Sequence, residues 1–122
     1  MKTNRPSFKE LNNKIRQAKQ AVAERKVVIL DYDVVLADSF DLEFEIGEIY
    51  EVLSEVIDGV SPGDYAGTHP PQHSYEQEIL DQDLYAFHGW IKRFGCRVYV
   101  KFALTQDRFW LISLHRDRPE KG

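Results

Sequence analysis

One cysteine, Cys96, occurs in the 122 residues, which excludes an intramolecular disulfide and any multi-cysteine zinc site. Cys96 falls in the inward set of an alternating segment, so a buried small hydrophobe fits it better than a nucleophile. No apolar run approaches the ~18 residues that a membrane-crossing helix needs. The basic start Met1-Lys2-Thr3-Asn4-Arg5 leads into no apolar stretch of the secretory kind. A cytoplasmic location with no membrane partner is the expectation. There is no glycine-rich phosphate loop, no Ser/His/Asp set in motif order and no zinc spacing, so no cofactor is expected. Thr68-His69-Pro70-Pro71-Gln72-His73 sets two histidines four apart, but the prolines prevent the helix that would align them, and no third ligand stands near. No metal site is expected.

Positive charge is missing from the middle of the chain. Residues 27–87 carry fifteen Asp/Glu and no Lys or Arg, whereas 1–26 carry eight Lys/Arg against two Glu. Residues 88–122 carry eight Lys/Arg against three acids, and the net charge of -4 hides this segregation. Basic ends packed against an acidic middle are the plainest account; a basic site beside an acidic face is the sharper one.

A length of 122 residues suits one domain. Ser7-Phe8-Lys9-Glu10 has the form of a capping box, and Phe8, Leu11, Ile15, Ala18 and Val22 then recur at steps of three and four, a helix to about Glu24. Val27–Leu30 and Val34–Leu36 are β-branched, although the region also scans as a helix around Asp33–Ser39. Ile46, Ile49, Tyr50, Leu53, Val56 and Ile57 line one face of a second helix that Gly59 ends. Residues 61–74 read as a long loop, with a short helix or linker at Glu76–Leu80. A meander of strands follows at about Leu84–Arg93, Cys96–Leu104 and Phe109–Arg116. The fold class expected is α+β, with N-terminal helices packed on a C-terminal antiparallel sheet.

In the middle strand Cys96, Val98, Val100, Phe102 and Leu104 alternate with Arg97, Tyr99, Lys101 and Ala103. The second set places a phenol between two cations on one rigid face. A three-residue hairpin loop would set Arg97 and Tyr99 opposite His115 and Ser113, and send Trp110, Ile112 and Leu114 to the core. RNA can be cut without a metal, because its 2′-hydroxyl can attack the adjacent phosphate. The protein must supply a base, an acid and cations. Tyr99 and His115 suit the acid–base roles, Arg97 and Lys101 the phosphate, with Arg116 at the strand end. His88 can approach from the neighbouring strand or serve as a structural histidine. Equally, exposed strand faces are commonly Arg, Lys and Tyr for solubility alone.

Several short blocks resemble the MqsR-type messenger-RNA-cleaving toxins, which have a RelE-like fold. They are Ala37-Asp38 with Asp41-Leu42-Glu43-Phe44 before an apolar helix, Asp64-Tyr65 after it, Gln82-Asp83-Leu84-Tyr85, Arg97-Val98-Tyr99-Val100-Lys101-Phe102, and Leu111-Ile112-Ser113-Leu114-His115. The resemblance implies a toxin-like endoribonuclease acting on mRNA, with or without the ribosome, and neutralised by a cognate antitoxin. It implies that Gln82 and Tyr99 hold site positions, with His115 where the family usually has lysine. Tyr85, Lys92, Arg93 and Arg116 are the candidate substrate contacts. Ala66 stands where the family carries a lysine after its loop tyrosine, and about His88–Phe94 is additional. The other reading is a RelE-fold binding module that engages RNA or a protein partner without turnover.

Overall fold

A computed structural model describes residues 7–68 and 70–117. The start Met1–Arg5, read above for a secretory signal, and His69 lie outside the described residues. The elements run α1 (Phe8–Ala23), β1 (Val27–Ile29), α2 (Tyr32–Leu42), α3 (Ile49–Asp58), β2 (Gln72–His73), β3 (Asp83–Ile91), β4 (Cys96–Thr105) and β5 (Arg108–Arg116). The strands form one sheet in the order β1-β5-β4-β3-β2, with β1 parallel to β5 and the remaining pairs antiparallel. The fold is α+β. Among the described residues no helix is long and apolar enough to cross a membrane.

Local chemistry starts and stops the helices. The Ser7 hydroxyl accepts the Glu10 N–H at 3.0 Å and caps α1, whose buried stripe is Leu11, Ile15, Ala18, Ala21 and Val22. Phe8, expected to open that stripe, stays exposed. The ambiguous region resolves into both alternatives: Val27–Ile29 pairs with β5, and Asp31 caps a helix at Tyr32 by accepting the Val34 N–H. Ile46–Glu48 forms a 3₁₀ turn that leads into α3, which buries Ile49, Val52, Leu53, Val56 and Ile57.

Gly59 ends α3 with φ −88°, so left-handed backbone is not why glycine stands there. A Cβ at Gly59 would lie 2.6 Å from Ile91 Cδ1, and one at Gly89 would lie 3.0 Å from the Gly59 carbonyl oxygen. The helix end therefore packs on β3 through two missing side chains.

The core fills the space between the helices and one sheet face. Phe102 stacks on Phe109 at 4.8 Å and on Phe87 at 6.0 Å, and all three are fully buried. Burying one such side chain contributes about 1.5–3 kcal/mol. A smaller cluster of Ile79, Leu84 and Ala103, with Leu30, Trp110 and Ile112, covers part of the opposite face.

The β4–β5 hairpin corrects the expected register. Its loop has two residues, because Thr105 pairs with Arg108, and Leu104, Ala103 and Phe102 pair with Phe109, Trp110 and Leu111. Phe109 and Leu111 thus enter the core, whereas Trp110 and Ile112 join the outer cluster. A bulge then shifts the register between Lys101 and Phe102, so that Lys101 faces Ser113, Val100 faces Leu114 and Tyr99 faces His115. Ile112 is the additional residue. The bulge does what the three-residue loop was expected to do: it sends Leu114 inward and keeps Ser113 and His115 off the core.

Candidate acid-base site on the outer sheet face

Alternation along β3, β4 and β5 puts Arg97, Tyr99 and Lys101 on the face away from the helices. Across the strands His88 pairs with Tyr99, and Tyr99 with His115. With strands about 4.8 Å apart, three proton-carrying side chains form one row roughly 10 Å long. The Tyr99 and His115 rings stack at 5.0 Å between centroids, tilted by 18°.

Asp117, just past β5, ties the row together. Its N–H donates to the Arg97 carbonyl at 2.9 Å, and its Oδ2 lies 2.9 Å from His88 Nδ1 and 3.3 Å from Arg97 Nε. His115 Nδ1 lies 2.7 Å from the Arg116 carbonyl oxygen. A carbonyl oxygen and a carboxylate only accept, so each contact assigns the proton to Nδ1. Both Nε2 atoms are then left for proton transfer at the face.

Burial, reinforced by the Asp117 carboxylate, pushes the Tyr99 phenol above its ordinary value of 10.0. Tyr99 is therefore an O–H donor near neutral pH rather than a base. Two histidines thus flank a neutral phenol on this face.

Lys101 projects between Ala86 and Ser113, at the rim of a cleft of about 190 Å3 with a floor of Leu30, Leu84 and Ile112. Tyr75, 86% exposed, also lines this cleft. His73 of the two-histidine segment places Nε2 3.1 Å from Asp83 Oδ1. Among the described residues no three His, Cys, Asp or Glu side chains are grouped to hold a metal ion.

Five expected site residues do not join the row. Tyr85 is buried on the helix side, where it pairs with Phe102. Desolvation pushes its phenol well above the usual value, and its hydroxyl reaches Asp83 at 3.5 Å. Gln82 precedes β3, six residues from His88, or roughly 20 Å at a rise of ~3.3 Å per residue. Arg93 is engaged by α3 and the turn before it, with Nη1 2.5 Å from Glu55 and Nη2 2.9 Å from Glu48. Arg116 pairs with the core residue Val98, so it points to the helix side, where Nε lies 3.7 Å from Asp41. Lys92 is exposed in the β3–β4 turn, beside Trp90.

Sequence reasoning passed over Asp117, although alternation along β5 carries it to the face of Ser113 and His115. Its N–H bond to the Arg97 carbonyl continues the β4–β5 register, and its carboxylate reaches over β4 to His88. The alternation of β3 carried a signal for His88, since Tyr85, Phe87, Gly89 and Ile91 form the opposite set. Compared with known proteins, the chain matches no family model and no curated sequence.

Proposed function

We propose that this chain is an endoribonuclease that cuts single-stranded RNA, mRNA in particular, by acid–base chemistry at the His88–Tyr99–His115 row. The observation that carries this reading is that both histidines are held at Nδ1 by acceptors, with Tyr99 between them. One imidazole removes the 2′-hydroxyl proton, and that oxygen attacks the adjacent phosphorus. The bond to the 5′-oxygen breaks, and the other imidazolium protonates the leaving oxygen. The products are a 2′,3′-cyclic phosphate and a 5′-hydroxyl end. Tyr99 O–H and Lys101 stabilise the charge on the non-bridging oxygens, and Asp117 with Arg97 positions His88. The resemblance to MqsR-type toxins adds a cognate antitoxin as the inhibitory partner, and the ribosome as a possible setting for cleavage.

Ala66 favours a second reading. Its N–H bonds to the Ala86 carbonyl at 2.8 Å, next to Lys101, and an alanine there adds no cation to the face. A weak or inactive module on the same fold would hold RNA or a protein partner without turnover.

The test is cleavage of a defined RNA in EDTA, with and without ribosomes, by wild type, His88→Ala, Tyr99→Phe and His115→Ala. Loss of ~10²-fold or more in each variant, with cyclic-phosphate ends from wild type, supports the first reading. Cutting that ignores all three substitutions removes the proposed site. No cutting in either setting leaves the binding module.

A further inference from the structure

Helix α2 needs one apolar face to cover the sheet, and Val35, Ser39 and Leu42 are its buried residues. Its apolar residues do not stop there: Phe40 is 74% exposed, and Val34 is exposed as well. Glu43 ends the helix in left-handed backbone, φ 60°, and the Phe44 N–H returns to the Ser39 carbonyl at 3.0 Å. This turn opens a groove of about 510 Å3, lined by Leu36, Phe40, Phe44 and Ile46 and rimmed by Glu43 and Glu45. Phe44 forms its floor, packed at 5.9 Å against Phe94.

The charge around the groove restricts what fits it. No Lys or Arg occurs in residues 27–87, and none lines the groove. On the same side of the sheet Arg116 is paired with Asp41, and Arg93 with Glu48 and Glu55. An acidic rim repels RNA and anionic lipid headgroups, whereas an apolar floor calls for an apolar side chain. We propose that this groove is a docking site for another protein, which inserts an apolar residue of an amphipathic helix beside Phe40 and sets flanking Lys or Arg against Glu43 and Glu45. The surface lies on the helix layer, across the sheet from the His88–Tyr99–His115 row. Docking there leaves the row open and does not depend on whether the row cleaves RNA.

The experiment titrates the full chain with a synthetic amphipathic peptide of about 18 residues, with leucines on one face and flanking lysines. Its counterpart carries glutamates in place of the lysines. Backbone amide shifts locate the site, and fluorescence anisotropy gives the affinity. The lysine peptide is expected to shift Leu36, Phe40, Phe44 and Ile46 and to bind tighter than the glutamate peptide. Phe40→Ser, at an exposed position, is expected to weaken it about tenfold or more with the thermal midpoint kept. Glu43→Lys with Glu45→Lys is expected to reverse the preference between peptides. Failure of the lysine peptide to bind, equal binding of both, or shifts on another face overturns the proposal. So does a concentration-dependent dimer abolished by Phe40→Ser, which would make a second copy the occupant, or adsorption to anionic vesicles through Phe40.

Discussion

Deleting Ile112 tests whether that residue is the one the β5 bulge accommodates. Without it Leu111 and Ser113 become neighbours, so Phe102–Leu111, Lys101–Ser113 and Tyr99–His115 all persist in one regular register. Leu114 stays inward, and Ser113 and His115 stay on the outer face. The cost is then the lost burial of one half-exposed isoleucine, about 1–2 kcal/mol, against a total stability of about 5–15 kcal/mol for a domain. Deleting Leu114 instead leaves no such register: keeping the bulge drives His115 inward, and removing it drives Ser113 inward. Losing the burial of a leucine costs about 2–5 kcal/mol and burying one unsatisfied polar side chain about 1–3 kcal/mol, together about 3–8 kcal/mol. Urea titration followed by circular dichroism is therefore expected to find the Ile112 deletion folded with a midpoint slightly below wild type, and the Leu114 deletion unfolded or close to it. An Ile112 deletion that unfolds, or that no longer places His115 opposite Tyr99 by NMR, would refute the register argument.

Alkaline pH should weaken the fold. Tyr85 and Tyr99 both have phenols raised by burial, so their stabilisation is fully present below the unfolded value near 10 and is lost as pH rises through the folded values. The urea midpoint should fall above about pH 10, and Tyr85→Phe should flatten that fall. Gly89→Ala should cost about 1–3 kcal/mol, because the new Cβ meets the Gly59 carbonyl and Val60; a thermal midpoint equal to wild type would contradict the close approach. Arg93→Ala should leave any RNA cleavage unchanged while exposing Glu48, Glu51 and Glu55 to mutual repulsion, so added salt should stabilise this variant more than wild type.

The elements that sequence made legible are those whose apolar period is set by one dominant surface. The stripe Leu11–Ile15–Ala18–Val22 and the alternation of β4 each face the main core and could be read directly. The region from Val27 to Leu42 could not be divided by pattern, because three residues of strand and the cap of a helix meet within it. β5 misled for a different reason. Trp110 and Ile112 are as apolar as Phe109 and Leu111, and a second, smaller cluster on the outer face takes them. A strand with apolar groups on both sides has no preferred register by pattern alone, and a bulge removes the constant period that pattern reading assumes.

The site shows the same limit at the level of single residues. Arg97, Tyr99 and Lys101 were legible because they share one strand, and alternation fixes their face. Tyr85 and Gln82 stood out as a short block, yet the side chain of Tyr85 must fall on the face opposite His88, three positions along the same strand. Arg116 follows the same parity one residue after His115, so its guanidinium reaches Asp41 on α2 instead of the row. Asp117 keeps the parity of Ser113 and His115: its N–H bonds to the Arg97 carbonyl opposite, and its carboxylate reaches over β4 to His88. The group that positions one of the two proposed proton carriers thus lies one period beyond His115, and what pattern reading lacked was its contact across two strands, because alternation gives a residue's face but not its partner.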